Sequence, residues 1–250
     1  MQLFRDIYVS TKKIRQKISN FTFKRLVEKT KANIRNSKHE KKLAFYRAES
    51  ERLAKNHLSR KSLRLHFGCG YRVLKDWINI DIYFGTFEQY LSEFNKKDYP
   101  QFAKGTKDDF YSIDFTEISL PLPDNSVDAI FHEDFIEHLG QKDQVIFLAE
   151  TYRVLKPGGV HRVNTPELLK SIGSSDFIKG KNGVHTEEWD SNGHYNVLTK
   201  KSLDELARTV GYREINFNQR NKSLSALIPK EYRPGSDRPE DGNIFADLIK

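Results

Sequence analysis

LRLHFGCGYRVLKDWINID, residues 63–81, holds two short apolar runs joined by a glycine turn. LRLHFG (63–68) reads as a β-strand that stops at glycine, and WINIDIY (77–83) reads as the next strand. Gly68 and Gly70 then fall at the carboxyl end of the first strand, where a missing side chain lets the backbone approach a ligand closely. In open α/β sheets that end of the strands is where ligands bind. The second run closes its NID segment at Asp81, whose carboxylate can accept both hydroxyls of a ribose. Two details argue against a nicotinamide dinucleotide site. Val73 stands where G-x-G-x-x-G has its third glycine, and Asp81 follows Gly70 by only 11 residues, against about 20 in the dinucleotide fold. The helix between these two strands is predicted to be very short or missing.

Outward from this stretch, strands alternate with helices. FYSIDF (110–115) is a third strand, PLPDNS a turn, and VDAIFH (127–132) a buried fourth. QVIFLAETYRVL (144–155) has helical spacing and stops at KPGG, after which GVHRVNT (159–165) is a strand. KKSLDELARTVGY (200–212) is an amphipathic helix stopping at Gly211, and YREINFNQ and NIFADLI close the chain as strands. Such alternation predicts an α/β protein with a mostly parallel sheet covered on both faces. Residues 171–198, with Trp189 and Tyr195, read as a substrate-side loop, and RPGSDRPEDGN (233–243) as a long polar loop.

The 250 residues include 37% hydrophobic and 12% aromatic side chains, enough for a true core. Cys69 is the single cysteine, which excludes an internal disulfide framework and a four-thiolate zinc site. With no secretory pattern and no long apolar run, the expectation is a soluble cytoplasmic protein. The net charge of +8 is concentrated: residues 1–62 hold 18 Lys or Arg and 5 Asp or Glu, while 63–250 carry a net of −5. Residues 1–62 contain no glycine or proline, and Ile7, Ile14, Ile18, Phe21, Leu26 and Val27 alternate loosely with basic residues. A basic helical arm over 1–62 is therefore expected beside a domain over 63–250. Such an arm suits an anionic membrane surface, nucleic acid or an acidic partner, and equally a pair of helices packed on the domain or on a second copy in a homo-oligomer.

The glycine turn and its acid, with LPLPDNSVDAIFHEDFIEHL, LKPGG, RVNTPEL and GHYNVLTKKSLDELARTVGY, resemble the class I S-adenosylmethionine-dependent methyltransferases. The likeness is to a type 11-like subgroup with a short G-C-G…W-I-N-I-D segment, often associated with surface polysaccharides, and it covers roughly residues 63–250. The resemblance implies a Rossmann-like doubly wound sheet of seven strands in the order 3-2-1-4-5-7-6, and S-adenosylmethionine as cofactor. It implies that Gly68, Cys69 and Gly70 line the methionine part, that Asp81 holds the ribose and that Ile82 lies against the adenine. It also assigns Asp114 and Phe115 to the adenine amino group and its neighbourhood, and His132 to the methionyl end. Arg72 or the arm is left to meet the cofactor's carboxylate.

Methyl transfer from a sulfonium is an in-line displacement that needs alignment, exclusion of water and, for an oxygen nucleophile, removal of a proton. The acid–base candidates cluster in HEDFIEHL, where Asp134, Glu137 and His138 are the expected catalytic residues. Their D-x-x-E-H pattern resembles the E-x-x-E-H segment of ubiquinone-type O-methyltransferases, which implies a site for Mg2+ or Mn2+; the same residues serve equally well as a helix cap without metal. His66 reads as a core residue, whereas Asn164 and Thr165 are placed to touch the acceptor, and His185 and His194 lie in a covering loop. His132-Glu133-Asp134-Phe135 stands where base-amine methyltransferases carry D/N-P-P-Y/F, and no cysteine is placed for pyrimidine C5 chemistry. A saccharide or small hydroxyl compound is the expected acceptor, at the inner face of the membrane if the arm binds lipid. RNA methylation through the arm and an inactive cofactor-binding scaffold are the alternatives.

Overall fold

The computed structural model describes residues 2–94, 104–173, 189, 192–231 and 242–250. The chain divides into two compact units, Met1–Phe45 and Tyr46–Lys250. The first is the amino-terminal part of one helix, α1 (Gln2–His57), rather than a pair. Between 28 and 45 its described side chains are mostly exposed, Ile34 among them. The division falls at 45/46 rather than at 62/63, because the last three turns of α1 are built into the body. Tyr46, Leu53 and His57 are buried there. Glu49 accepts from Ser112 N at 3.3 Å, Arg52 donates to the Phe110 carbonyl and lies 4.1 Å over the Tyr111 ring, and His57 Nε2 is 2.8 Å from the Tyr111 hydroxyl. These contacts cover an open sheet edge whose unpaired backbone groups would otherwise face water or another chain.

That edge belongs to β3 (Phe110–Ser112) in a seven-stranded sheet with β1 (Arg64–Phe67), β2 (Ile78–Asp81), β4 (Val127–Glu133), β5 (Leu155–Pro166), β6 (Glu214–Phe217) and β7 (Asn243–Ile249). The order is β3-β2-β1-β4-β5-β7-β6. β1 to β5 are parallel, and β7 is antiparallel to both β5 and β6. This is the expected Rossmann-like arrangement, with β1 central between β2 and β4. α3 (Gln141–Val154) and α5 (Lys200–Val210) close the core with Phe147, Leu148 and Leu203, each fully buried. Two short helices, α2 (Phe87–Ser92) and α4 (Leu168–Gly173), went unforeseen. KPGG is also more than a stop: β5 runs through it, and Gly158 N donates to the Lys250 carbonyl.

No helix separates β1 from β2, as the short spacing predicts. Asn79, fully buried in β2, ties down the turn that replaces it. Its amide donates to the carbonyls of Leu74, Trp77 and Asp109 at 2.8–3.1 Å, and its Oδ1 accepts from Leu74 N and lies 3.0 Å from His66 Nδ1. On β5, the buried Arg162 pairs with Glu231 at 2.5 Å and Asp247 at 3.3 Å, which fixes the segment before Glu231 against the sheet. The polar loops flagged at 171–198 and 233–243, with His185, lie largely outside the described residues.

Candidate functional site

The carboxyl ends of β1, β2 and β4 open on one cavity of about 530 Å³, at the point where the strand order reverses. Gly68, Cys69, Gly70, Asp81 and Ile82 line it from one side, Asp134 and His138 from the other. Gly68 has φ +57°, and a Cβ there would come within 2.4 Å of the Phe135 ring, so the turn is closed to any larger residue. At Gly70 (φ +52°) a Cβ would make only ordinary contact with the Phe94 ring at 3.8 Å, so it is the left-handed backbone that favours glycine.

Asp81 is built into this turn. Gly70 N donates to its Oδ2 at 3.0 Å and Ile82 N to its Oδ1 at 2.7 Å. The Tyr90 hydroxyl, from α2, donates to Oδ2 at 2.7 Å while sitting 2.7 Å from the Gly70 carbonyl and 3.5 Å from Cys69 Sγ. Burial pushes the Asp81 carboxyl above its ordinary range, opposed by these donors. Burial, then the Asp81 charge, pushes the Cys69 thiol far up, so it is a neutral wall rather than a nucleophile. Ile82 is 46% exposed at the rim, an apolar surface beside the carboxylate. Sequence reasoning missed Tyr90, because nothing near it in the chain announces a contact with residues 9 and 20 positions earlier.

Arg72 also lines the cavity, pairing with Glu133 at 3.2 Å and donating to the Lys230 carbonyl. Asn164 donates to the other Glu133 oxygen at 3.1 Å, and Thr165 donates to Glu137 Oε2 at 2.9 Å. Asn164 thus holds a cavity-lining carboxylate and Thr165 a buried one, both from within the core.

Four expected site residues do not line the cavity. Asp114 turns back on its own loop, where its Oδ1 accepts from Thr116 N and Oγ1. Phe115 is buried against Phe67 and Phe147. Strand alternation sends Glu133 to the cavity and His132 to the core, among Phe135, Phe147 and His161. Both ring nitrogens of His132 lack a hydrogen-bond partner among the described residues, and burial, then His161 and His66, hold the ring well below its ordinary pKa. Glu137 is fully buried behind the 3-10 turn Ile136–His138. The expected cation set of Asp134, Glu137 and His138 also changes: the atoms that converge belong to Glu137, His138 and His194, without Asp134. Asp134 sits just past β4 with φ +49°, its N–H donating to the Asn164 carbonyl at 3.0 Å.

Comparison with known proteins adds three findings. A family model described as a methyltransferase domain matches residues 65–163. A protein of Mycolicibacterium smegmatis described as a probable S-adenosylmethionine-dependent methyltransferase is 40% identical over 143 residues, 52% of this chain and 49% of that one. The chain thus spans about half the length of this relative. Among solved structures, an S-adenosylmethionine-dependent methyltransferase of Archaeoglobus fulgidus matches 80% of this chain and 92% of its own at 16% identity and a TM-score of 0.48. Residues 65–163, which carry the glycine turn, Asp81 and the β4 end of the cavity, are thus the part of the chain that is similar to a methyltransferase domain.

Proposed function

We propose that the protein is an S-adenosylmethionine-dependent methyltransferase that methylates a hydroxyl of a saccharide or other small hydroxyl compound. The observation that carries the cofactor is the Asp81 carboxylate at the end of β2, tied to the glycine turn and facing the cavity. The residues present fit the cofactor. A turn with glycine at 68 and 70 admits it closely, Asp81 is placed for the ribose hydroxyls, Ile82 offers an apolar face to the base, and Glu93 and Asp134 supply negative charge for a cationic ligand. When bound, the cofactor supplies an electrophilic methyl group on a sulfonium leaving group. The chain's own part is to orient the ligand through Asp81, to exclude water with Tyr71, Phe94 and Phe135, and to take up the acceptor proton at the Asp134 carboxylate.

A hydroxyl acceptor is favoured by what occupies the end of β4. Glu133-Asp134-Phe135 offers carboxylates rather than the proline-rich tetrapeptide used on base amines, and the Cys69 thiol is buried and neutral. The +13 charge of residues 1–62 favours a cytoplasmic protein held at an anionic inner membrane face. Transfer of labelled methyl to a panel of saccharides, nucleotide sugars and phenols tests the acceptor class. Label on a sugar hydroxyl is the expected result, and label on RNA alone would overturn it. Co-sedimentation with phosphatidylserine vesicles is expected at low salt and lost at high salt; binding to neutral vesicles alone would contradict the electrostatic reading.

A further inference from the structure

The 3-10 turn Ile136–His138 and the segment around His194 meet beside the cavity, and three side chains converge where they touch. Ligand-capable atoms of Glu137, His138 and His194 all lie within 4.8 Å of one another. Glu137 Oε1 is 3.9 Å from His194 Nε2, and the rings of His138 and His194 meet edge to face with centroids 4.8 Å apart. Glu137 and His194 are buried, whereas His138 is exposed at the cavity wall.

We propose that Glu137, His138 and His194 bind one divalent transition-metal ion, Zn2+ in preference to Mg2+. Two imidazoles and one carboxylate oxygen form a borderline donor set that suits zinc, cobalt, nickel or manganese, whereas magnesium demands oxygen. The atoms that orient these ligands are already in place. Thr165 Oγ1 donates to Glu137 Oε2 at 2.9 Å, which commits that oxygen and turns Oε1 towards His194. His138 Nδ1 lies 3.2 Å from the Gly193 carbonyl, so that Nε2 is the ligating atom. Hydrogen bonds of this kind set tautomer and direction in metal sites. The two segments are also fastened to each other. Tyr195 N and Asn196 N donate to the Glu137 carbonyl at 2.8 and 3.1 Å, and the Gln144 amide donates to the carbonyls of Ile136 and Asn196, both at 2.8 Å. Ligands roughly 2.1 Å from an ion stand about 3.4 Å apart, so side-chain rotation draws the three atoms inwards on binding.

The ion's role rests on the methyltransferase reading: with three protein ligands and a position open to the cavity, it polarises the acceptor hydroxyl. Its binding does not rest on that reading, so metal and cofactor are measured separately. Chelator-stripped full-length protein is titrated with Co2+, Zn2+ and Mg2+ alone, following heat and the visible ligand-field absorption of Co2+. One Co2+ or Zn2+ per chain is expected, with Mg2+ far weaker. His138→Ala and His194→Ala should each weaken Zn2+ binding by at least about tenfold and remove the Co2+ absorption, and Thr165→Val should weaken it about tenfold. Far-UV circular dichroism confirms that each variant is folded, and the exposed position of His138 makes its variant the safest. Absent stoichiometric binding, or affinity that survives loss of His138, would overturn the site. Metal binding without any binding of S-adenosylhomocysteine would sink the methyltransferase reading and leave the metal site standing.

Discussion

At the residue scale, Asp81 depends on a partner the sequence does not announce. The Tyr90 hydroxyl clamps Asp81 Oδ2 beside Gly70, while its ring packs against Phe110 with centroids 4.4 Å apart. Tyr90→Phe keeps the ring and removes the clamp, so the fold should survive. Affinity for S-adenosylhomocysteine should fall about tenfold, the worth of one hydrogen bond to a charged group. Calorimetric titration measures this directly, and an unchanged affinity would mean that the backbone donors alone hold the carboxylate. Gly68, Gly70 and Asp81 were legible because strand, turn and acid follow one another within 19 residues of chain, whereas Cys69 and Ile82 came from the family likeness. Asp114, Phe115 and His132 were carried over from a family pattern, and their surroundings here differ. A two-residue turn recaptures the Asp114 carboxylate, and an aromatic cluster takes up Phe115 and His132. His194 was passed over as a loop histidine because its neighbours, Glu137 and His138, lie more than 50 residues away in sequence.

At the scale of elements, the turn between β1 and β2 stands without a helix because one side chain does a helix's work. Asn79→Ala leaves several buried backbone groups without partners, at about 1–3 kcal/mol for each that water cannot reach. A loss of about 3 kcal/mol in urea unfolding is expected, together with weakened cofactor binding; a loss below 1 kcal/mol would show that the turn holds itself. The last turns of α1 form a second such joint. Leu53 is fully buried at the end of a helix that covers the β3 edge, and Leu53→Ala should cost about 2–5 kcal/mol. Strands and long helices were legible from periodicity, since each repeats its pattern over several residues. α2 is only six residues long, too short to show a period, and its start is fixed by the Thr86–Gln89 capping box. The arm boundary was drawn where helical texture ends, whereas burial of Tyr46 and Leu53 places the body's start one element earlier.

At the scale of the whole molecule, the sheet order followed from the family likeness, and its energetics bring a pH dependence that composition does not reveal. His57, His66, His132 and His161 are all buried. Burial pushes His57 down to about 4, and His66 and His161 down to about 3, from an ordinary 6.5. The unfolded chain takes up a proton at each near pH 6.5 while the native state stays neutral. Stability is therefore full above that pH and falls as pH drops through 6.5 towards 4, by about 1.4 kcal/mol per pH unit for each histidine. Urea unfolding should show a plateau above pH 7 and a steep decline between 6.5 and 4.5, made shallower by His161→Gln. A stability that stays level across that window would contradict it.

The central claim is that the glycine turn and Asp81 form a nucleoside-binding site, and calorimetric titration with S-adenosylhomocysteine tests it most directly. The account predicts micromolar binding by the wild-type protein and loss of that binding in Asp81→Ala, with the fold retained. Equal affinity in the two proteins, or no binding by the wild type, would contradict it.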